Sequence, residues 1–205
     1  MTIEKDFFRQ IMGRFATGVT VVTTSHQGIL GGLTVNAFCS LSLNPPLVLI
    51  CVDLTSNTLP LIQESKRFAV NILTDKQEDL SRCFATHSKE RFEHFCHAPY
   101  HTAATGAPIL DNVLAFIDAR VVAEYPGGDH EIFIGQVAAL GTADHVVFAD
   151  ETDRAFSTLT GLNGTALEES NTPPLAYYRG QYRHLAEQYR QPSLPAPESE
   201  SQTVR

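Results

Sequence analysis

The sequence predicts a mainly β protein, a closed antiparallel barrel with a few peripheral helices. About eight short runs of β-branched and apolar residues are separated by glycine, proline and asparagine turns, and few segments have helical periodicity. Strands and helices do not alternate regularly, which argues against a doubly wound parallel sheet. The 205 residues, 43% of them hydrophobic, are enough for one buried core and too few for two.

The first predicted strands lie in a segment without charged residues, from Phe15 to Val52. Glycines, Asn44 and the pair Pro45-Pro46 divide it into pieces of roughly eight residues, whereas a membrane-spanning helix needs about 20 unbroken apolar positions. The pieces are predicted strands: GVTVVTT, GLTVNAF after the turn SHQG, and LVLICVD after the stop at NPP. Because LVLICVD is almost continuously apolar, we expect it to be covered on both faces.

The later strands alternate between two faces. RFAVNIL places successive side chains on opposite sides of a strand. Residues 116–124 have apolar side chains on one face and Asp118, Arg120 and Glu124 on the other, which predicts a strand half exposed to solvent. EIFIGQVAAL, HVVFA and LAYYR complete the predicted set of strands.

Two segments have the spacing of amphipathic helices. EKDFFRQIMGRF carries its large apolar residues at helical intervals. DKQEDLSRCFA begins with Asp75 and has Glu78 three residues later, which is the capping-box arrangement. Residues 190–205, RQPSLPAPESESQTVR, are rich in Pro, Ser and Glu, so we expect a disordered tail after one domain over residues 1–189.

Charge and cysteine usage exclude several classes of protein. Fifteen Lys plus Arg against 23 Asp plus Glu give a net charge of −8, so the chain lacks the positive field that binds nucleic acid or an anionic membrane. Cys39, Cys51, Cys83 and Cys96 form no C-x-x-C, and the N-terminus MTIEKDFFRQ is too charged for a signal peptide. We therefore expect a cytoplasmic protein with free thiols.

Most familiar catalytic motifs are missing from the sequence. It contains no G-x-S-x-G, no P-loop, no H-E-x-x-H and no G-x-G-x-x-G after a strand, which argues against a Rossmann or P-loop nucleotide site. One stretch of 19 residues contains zinc-type side chains, which are Cys83, His87, His94, Cys96, His97 and His101. Because their intervals are irregular, a packed cysteine and solvated loop histidines are the favoured interpretation, and no metal site is predicted.

Three positions could carry chemistry, each with a structural alternative. His130 follows a Gly127-Gly128 turn and begins a strand, so it is either a hydrogen-bonding group at a barrel rim or a turn histidine. The run Ser56 to Thr58 begins a predicted helix, where it could bind phosphate or act as an ordinary N-cap. Asn36 offers an amide that could match a ring edge or satisfy a turn.

Seven segments in order resemble the short-chain flavin reductases, the reductase components of two-component flavin-dependent monooxygenases. They are GRFATGVTVVTT, GLTVNAFCSLSLNPPLVLICVD, SNTLPLI, RFAVNIL, Arg91-Phe92, GDHEIFIGQV and PPLAYYRGQYR. The resemblance spans about residues 7–183 and implies an FMN-binding split β-barrel of Greek-key type, usually a homodimer.

The resemblance also implies a role for each part of the site. The residues implied to line the flavin ring are Thr34, Val35, Asn36, Ala37 and Ser40, with Ala69, Val70 and Asn71 flanking it. Asp53, Ser56, Asn57 and Thr58 are implied to hold the ribityl and phosphate end, and Arg91 and Phe92 the phosphate or an adenylate. His130 is implied to meet the nicotinamide as the catalytic residue, with Tyr178, Arg179 and Gly180 closing that site.

The implied activity is hydride transfer from NADH, or NADPH, to free FAD or FMN, which then serves a partner monooxygenase. After Arg91-Phe92 the chain has Glu93 and His94 where the family commonly has a small residue, so FAD and FMN both stay open. Two alternatives are a protein that holds flavin tightly as an electron carrier without oxidising NADH, and a zinc-stabilised interaction domain.

Overall fold

The computed structural model describes residues 3–142, 145–150, 152 and 172–185. The helices are α1 (Lys5–Met12), α2 (Leu59–Ser65), α3 (Glu78–Ala85) and α4 (Lys89–Phe92), with 3₁₀ turns at Asp75–Gln77 and Phe95–His97. The strands are β1 (Thr17–Gly18), β2 (Thr20–His26), β3 (Ile29–Val35), β4 (Phe38–Leu43), β5 (Pro46–Asp53), β6 (Arg67–Ile72), β7 (Tyr100–Thr102), β8 (Pro108–Leu110), β9 (Ala115–Gly127), β10 (His130–Gly141), β11 (Val146–Phe148), β12 (Leu175–Tyr178) and β13 (Gln181–His184).

An eight-stranded antiparallel sheet forms the body of the fold. Its order is β3-β2-β6-β9-β10-β5-β4, with β11 added to β10. The mainly β class is therefore confirmed. The closure that we expected is wrong for the described residues, because no backbone pairing joins the edge strands β3 and β4. The two edges are nevertheless consecutive in the chain, and Asn36 and Ala37 connect them. We call these two residues the β3–β4 corner.

The core lies on both faces of the sheet. Alternate residues of the central strands enter different apolar clusters, so Val21 and Ala69 pack in one cluster while Val22 and Val70 pack in the other. The first cluster is covered by α3, the Phe95–His97 turn and the two-stranded sheet β7-β8. Both faces of RFAVNIL are consequently buried, as expected for a central strand with a layer on each side.

The prediction that Asp118 faces solvent, on the polar side of residues 116–124, is wrong. Its side chain is completely buried in β9 and accepts hydrogen bonds from the backbone N–H and the hydroxyl of Thr105. Burial raises the pKa of Asp118 to about 6, against the hydrogen bonds from Thr105, which lower it. The face that the sequence assigned to solvent is covered at this position by the loop that contains Thr105.

Several predicted boundaries shift in the structure. GLTVNAF is not one strand, because β3 ends at Val35 and β4 begins at Phe38. LVLICVD is buried on one face only, and the side chains of the other face stay half exposed. The capping box forms one residue earlier than predicted, where the Thr74 backbone N–H donates to Oε1 of Gln77 at 3.1 Å.

Helix α1 forms as predicted, but its apolar side chains are exposed. None of its residues is buried, and Phe7 and Phe8 are 58% and 55% exposed. Ile11, Met12 and Phe15 continue the same surface. We call these five residues the α1 apolar face. In the described part of the chain, no helix has the length and apolar character needed to cross a membrane.

The expectation of four free thiols is wrong for one pair. Cys83 in α3 and Cys96 form a disulfide with their Cα atoms 6.1 Å apart, while Cys39 and Cys51 are free. The pairing removes both cysteines from the set of potential zinc ligands. Within residues that the structure describes, no three His, Cys, Asp or Glu side chains converge to hold a metal ion. The predicted tail at 190–205 lies outside those residues.

Candidate functional site

The β3–β4 corner forms one wall of a pocket at the split in the sheet. The pocket has a volume of about 220 Å³ and is lined by Val19, Thr34, Val35, Asn36, Ala85, Tyr177 and Tyr182. We call it the corner pocket. It brings together three of the ring-lining residues that the resemblance implied. Two aromatic side chains on the opposite wall, from β12 and β13, give it flat apolar surface next to amide and hydroxyl groups.

The polar groups of the corner differ in whether they already make hydrogen bonds within the protein. Thr34 donates through its hydroxyl to the carbonyl of Ser81 in α3 at 2.7 Å, which fixes the strand against the helix. The carbonyl of Ala37 accepts from the backbone N–H of Cys51 at 3.1 Å. Asn36 is exposed, and no described residue hydrogen-bonds its amide. Ser40 lies exposed on β4, beyond the pocket. Asn36 therefore has amide capacity to offer a ligand.

A buried cation lies two residues before Thr34 along β3. The Nε of Arg91 donates to the carbonyl of Gly32 at 2.8 Å, and its Nη2 donates to the Thr58 hydroxyl at 3.5 Å. Burial lowers the pKa of Arg91 from its ordinary value, and no charged partner offsets this among the described residues. Because a guanidinium has five N–H donors, several of them stay available for an anion.

Gly32 allows this close approach of helix and strand. A Cβ at this position would lie 2.5 Å from the ring of Phe84 in α3, so a larger residue would push the helix away from β3. Arg91 reaches the strand in the same region and lies with its guanidinium carbon 4.9 Å from the centre of the Phe92 ring. The predicted pair Arg91-Phe92 is thus held at the strand by a glycine that sequence reasoning did not single out.

The segment Ser56 to Thr58 begins a helix, as predicted. Thr58 is the buried residue that precedes α2, and its hydroxyl donates to the Gly32 carbonyl at 3.3 Å. The Ser56 hydroxyl accepts from the Thr58 backbone N–H at 3.3 Å, and Asn57 is exposed. Thr58 therefore lies beside Arg91, and Ser56 contacts Thr58.

His130 and Asp53 form a separate rim. They are paired across β10 and β5, and the His130 Nδ1 lies 2.7 Å from Oδ1 of Asp129. Hydrogen bonds from the Thr55 hydroxyl and backbone lower the pKa of Asp53, with a smaller contribution from His130. The hydrogen bond with His130 lowers the pKa of Asp129. His130 is half exposed and reachable, but it does not line the corner pocket.

The residues of β6 that the resemblance implied beside the ring lie in the core of this structure. Ala69, Val70 and Asn71 are completely buried and have no surface to offer a ligand. Asn71 donates to the Val21 carbonyl and the Thr23 hydroxyl, both at 2.9 Å, and accepts from the Leu110 N–H at 2.8 Å. All three residues belong to the core, because β6 is a central strand with a layer on each side.

LAYYR continues into a hairpin that the sequence analysis missed. Arg179 and Gly180 have φ values of 51° and 73° and connect β12 to β13, which is the two-residue turn of type I′. The segment YYRGQYR could have revealed this hairpin, since Gly follows Arg between two runs that contain tyrosine. The hairpin places Tyr177 and Tyr182 on the corner pocket. Of the predicted residues, Tyr178 ends β12 and Arg179 lies in the turn of the hairpin.

A second cavity continues from the corner pocket. It has a volume of about 530 Å³ and is lined by Glu78, Arg82, Ala85, Thr86, Tyr177, Gly180, Gln181 and Tyr182. We call it the hairpin groove. Three of its residues also line the corner pocket, so the two cavities share a wall. The arrangement can hold a flat ring in the corner pocket, an anion at Arg91, and a second elongated molecule along the groove.

Comparison with known proteins agrees with this geometry. The flavin reductase like domain family matches residues 12–186. The reductase component of a 4-nitrophenol 4-monooxygenase/4-nitrocatechol 2-monooxygenase from Rhodococcus opacus is 32% identical over 185 residues, covering 89% of this chain and 82% of that protein. A flavin reductase (NADH) from Kitasatospora aureofaciens is 40% identical over 146 residues, 70% of this chain and 75% of that protein.

One similar solved structure carries ligands. It is the NADH:FAD oxidoreductase SgcE6 of Streptomyces globisporus C-1027 in complex with NAD and FAD fragments. It superposes with a TM-score of 0.71 at 28% identity and covers 91% of this chain and 95% of that chain. This likeness confirms the split-barrel fold class.

Proposed function

The chain belongs to the flavin reductase like domain family, and we propose that it is an NAD(P)H:flavin oxidoreductase that reduces free FAD or FMN with NADH and supplies a partner monooxygenase. The observation that carries the proposal is the layout of β3. The corner pocket lies at the end of this strand. The buried Arg91 contacts the same strand at Gly32, two residues before Thr34. At about 3.3 Å per residue, ring site and anion site are roughly 7 Å apart along the strand.

The residues present fit a flavin. Thr34, Val35 and Asn36 border a pocket with two tyrosine rings, and Asn36 has an amide with capacity for a polar ring edge. We assign the backbone of Ala37 and the Ser40 hydroxyl to the open side of this pocket. A bound flavin supplies hydride acceptance from a stacked nicotinamide, and this chain contributes mainly positioning.

We assign the phosphate end of the flavin to Arg91. Its guanidinium is buried beside the hydroxyl of Thr58, whose backbone N–H donates to the Ser56 hydroxyl, and it has no carboxylate partner in the described part of the chain. Burial of an unpaired cation is costly, and an incoming phosphate relieves that cost through charge-assisted hydrogen bonds. Asn57 and Phe92 border the same region, and we include them in this part of the site.

We assign the nicotinamide side to His130 and to the hairpin turn. His130 is half exposed and oriented by the carboxylate of Asp129, and Asp53 is paired with it across the sheet. Tyr178, Arg179 and Gly180 close the other side, next to the hairpin groove. His130 can donate a hydrogen bond to a carboxamide, while the rings themselves exchange the hydride.

The proposed activity is tested by the loss of NADH absorbance in the presence of purified protein. We expect negligible oxidation without flavin and saturable oxidation with FMN or FAD. Riboflavin separates the contribution of the phosphate, because it offers the ring alone. A protein that binds flavin but leaves NADH unchanged with all three would be a flavin-holding electron carrier, which contradicts the proposal.

We further propose that two copies of the chain pair through the α1 apolar face. Its three phenylalanines, one isoleucine and one methionine are all about half exposed or more, which a stable monomer avoids for so large a contiguous patch. A second copy is the occupant that is always present, and isologous dimers are the commonest oligomers. The Gly13 carbonyl after α1 accepts from the Arg179 N–H at 2.8 Å, so the interface would adjoin the hairpin.

Sedimentation velocity tests the dimer. We expect the wild-type chain to sediment as a dimer and Phe8→Glu to sediment as a monomer with an unchanged circular dichroism spectrum. Lys5→Glu, on the same helix but outside the apolar face, serves as the control and should remain dimeric. A monomeric wild-type chain would contradict this proposal.

The partner of the reaction is a flavin-dependent monooxygenase that receives the reduced flavin. A shallow pocket at a split in the sheet supports release of the flavin rather than permanent binding. We place the protein in the cytoplasm, because its proposed reductant NADH belongs to the intracellular pool. Hydroxylated product should form when NADH, flavin, this chain and such an oxygenase are combined.

A further inference from the structure

The hairpin groove contains a charged cluster to which the proposed function assigns no role. Arg82, in α3, donates from Nε and Nη2 to Oε1 of Glu78 at 3.0 and 2.5 Å. The other carboxylate oxygen of Glu78 lies 3.4 Å from Nε2 of His184. The Arg82 side chain is 60% exposed and lines the groove, so a ligand can reach it.

One aromatic ring lies between Arg82 and the corner pocket. Its guanidinium carbon lies 4.7 Å from the ring centre of Tyr182, which lines both cavities. The Tyr182 hydroxyl is held by the Ser81 hydroxyl at 2.8 Å, and the Ser81 carbonyl accepts from Thr34. The position of Arg82 relative to the corner pocket is therefore fixed by a chain of contacts and not only by a flexible side chain.

Helix α3 separates this cation from Arg91. Phe84 packs against Gly32 of β3, whereas Arg82 and Ala85 line the hairpin groove. Ser81 contacts β3 through its carbonyl and the hairpin through its hydroxyl. A phosphate group attached to a ring in the corner pocket can therefore extend in two directions, toward Arg91 along β3 or toward Arg82 along the hairpin. Since Arg91 accounts for the flavin phosphate, Arg82 is placed for the anion of the second nucleotide. In NADH one ribose separates the nicotinamide from the pyrophosphate, which matches a cation one aromatic ring beyond the pocket.

We propose that Arg82 binds the pyrophosphate of the pyridine dinucleotide in the hairpin groove, and that Glu78 competes with this pyrophosphate for the guanidinium. The inference rests on the flavin reductase activity proposed above and deepens it. Binding exchanges a carboxylate partner of Arg82 for a diphosphate, and both are anions that a planar guanidinium can hold through paired N–H donors. Glu78 keeps the cation ordered in the free protein and weakens dinucleotide binding by like-charge repulsion.

Substitutions of Arg82 and Glu78 should change the KM for NADH in opposite directions. This distinguishes a ligand site from a structural ion pair. Arg82→Gln should raise the KM for NADH about tenfold, with kcat within about twofold, because a charge-assisted contact to the pyrophosphate is lost. Glu78→Gln should lower the KM for NADH about threefold, because the repulsion is removed and Arg82 is released. Lys76→Gln, at an exposed cation in the 3₁₀ turn before α3 and outside the groove lining, is the control and should leave both constants unchanged.

Steady-state kinetics with FMN and with FAD complete the design. The KM values for both flavins should stay within about twofold in Arg82→Gln, and NADPH should lose the same factor as NADH, since both share the pyrophosphate. An effect confined to FAD would assign Arg82 to the flavin adenylate, and one confined to NADPH would assign it to the 2′-phosphate. Either result overturns the proposal, and so does a rise of KM in both variants, which would mark a structural pair.

Calorimetric titration with NAD⁺ keeps the inference separate from the proposed activity. A wild-type chain that oxidises no NADH with any flavin contradicts that activity alone. In that case the affinity for NAD⁺ still decides, and Arg82→Gln should weaken it about tenfold while Glu78→Gln strengthens it. Equal NAD⁺ affinity in the wild type and both variants would overturn the role of Arg82.

Discussion

Two Val-Asn pairs in neighbouring regions of one sheet have opposite environments. Val35-Asn36 ends β3 at the corner pocket, and Val70-Asn71 lies inside β6. Asn36 is exposed and has no hydrogen bond to another described residue, whereas Asn71 is completely buried and makes three hydrogen bonds. The same dipeptide is therefore available to a ligand at the split edge and part of the scaffold at the centre.

The difference shows how the fold separates binding from stability. At the centre of the sheet, layers on both faces bury polar groups, and each of these groups must find an internal partner. At the split between β3 and β4, backbone pairing stops and polar groups remain accessible. Substitutions at the centre should change the free energy of unfolding, and substitutions around the split should change nucleotide affinity.

The largest effect is expected at Asn71. Asn71→Ala removes the amide that donates to the Val21 carbonyl and the Thr23 hydroxyl and accepts from the Leu110 N–H, and it should lower the free energy of unfolding by about 3 to 5 kcal/mol. Urea denaturation measures the change. Asn36→Ala is the matched control and should stay within about 0.5 kcal/mol of wild type. Equal stability of the two variants would remove the distinction between the two regions.

The second effect concerns pH and Asp118. Because burial raises its pKa in the folded state to about 6, above its ordinary 3.8, the folded protein binds this proton more tightly than the unfolded chain. The contribution of Asp118 to the free energy of unfolding should therefore fall as pH rises, by about 2 kcal/mol between pH 4 and pH 6 and by about 3 kcal/mol in total, at 1.36 kcal/mol per pKa unit.

Asp118→Asn removes this titration. We expect the variant to resemble wild type near pH 4 and to be more stable than wild type at pH 7. Urea denaturation across this range measures both, and Asp6→Asn, on the exposed helix α1, should keep the wild-type profile. Parallel profiles for Asp118→Asn and wild type would show that the buried carboxyl does not titrate in this window.

Arg91 lies beside the edge strand β3, and its replacement should weaken FMN binding about thirtyfold. Arg91→Met keeps much of the side-chain volume but removes the donors next to Thr58, so the KM for FMN should rise by that factor, about 2 kcal/mol. Riboflavin, which has no phosphate, should be affected within about twofold. Lys89→Met, in the same short helix and exposed, is the control. Equal losses for FMN and riboflavin would contradict the assignment of Arg91 to the phosphate.

The smallest effect is expected at His130. His130→Ala should raise the KM for NADH about threefold to fivefold or lower turnover, while flavin affinity stays the same, because the histidine lies outside the corner pocket. His26→Ala, a histidine at the end of β2, should change neither constant. Equal loss of NADH and flavin affinity would contradict a role restricted to the nicotinamide side.

The sequence predicted the strands better than it predicted their surroundings. Alternation in residues 116–124 correctly separates two faces, but it cannot tell whether the second face meets solvent or another layer, which is why Asp118 was misplaced. For the same reason, the alternation in RFAVNIL does not reveal that Asn71 is buried. The start of α2 at Thr58 follows from local chemistry and was correct. Tyr182 was missed because its contact with the corner pocket depends on a hairpin that returns from the end of the domain.

The most direct test of the corner pocket as the flavin site is the dissociation constant of FMN for Asn36→Leu, measured by quenching of flavin fluorescence. Loss of an amide at the ring edge should weaken FMN binding by about 1 to 3 kcal/mol, or about fivefold to 150-fold, while the free energy of unfolding stays the same. An unchanged dissociation constant in the folded variant would show that the flavin ring does not lie at the β3–β4 corner.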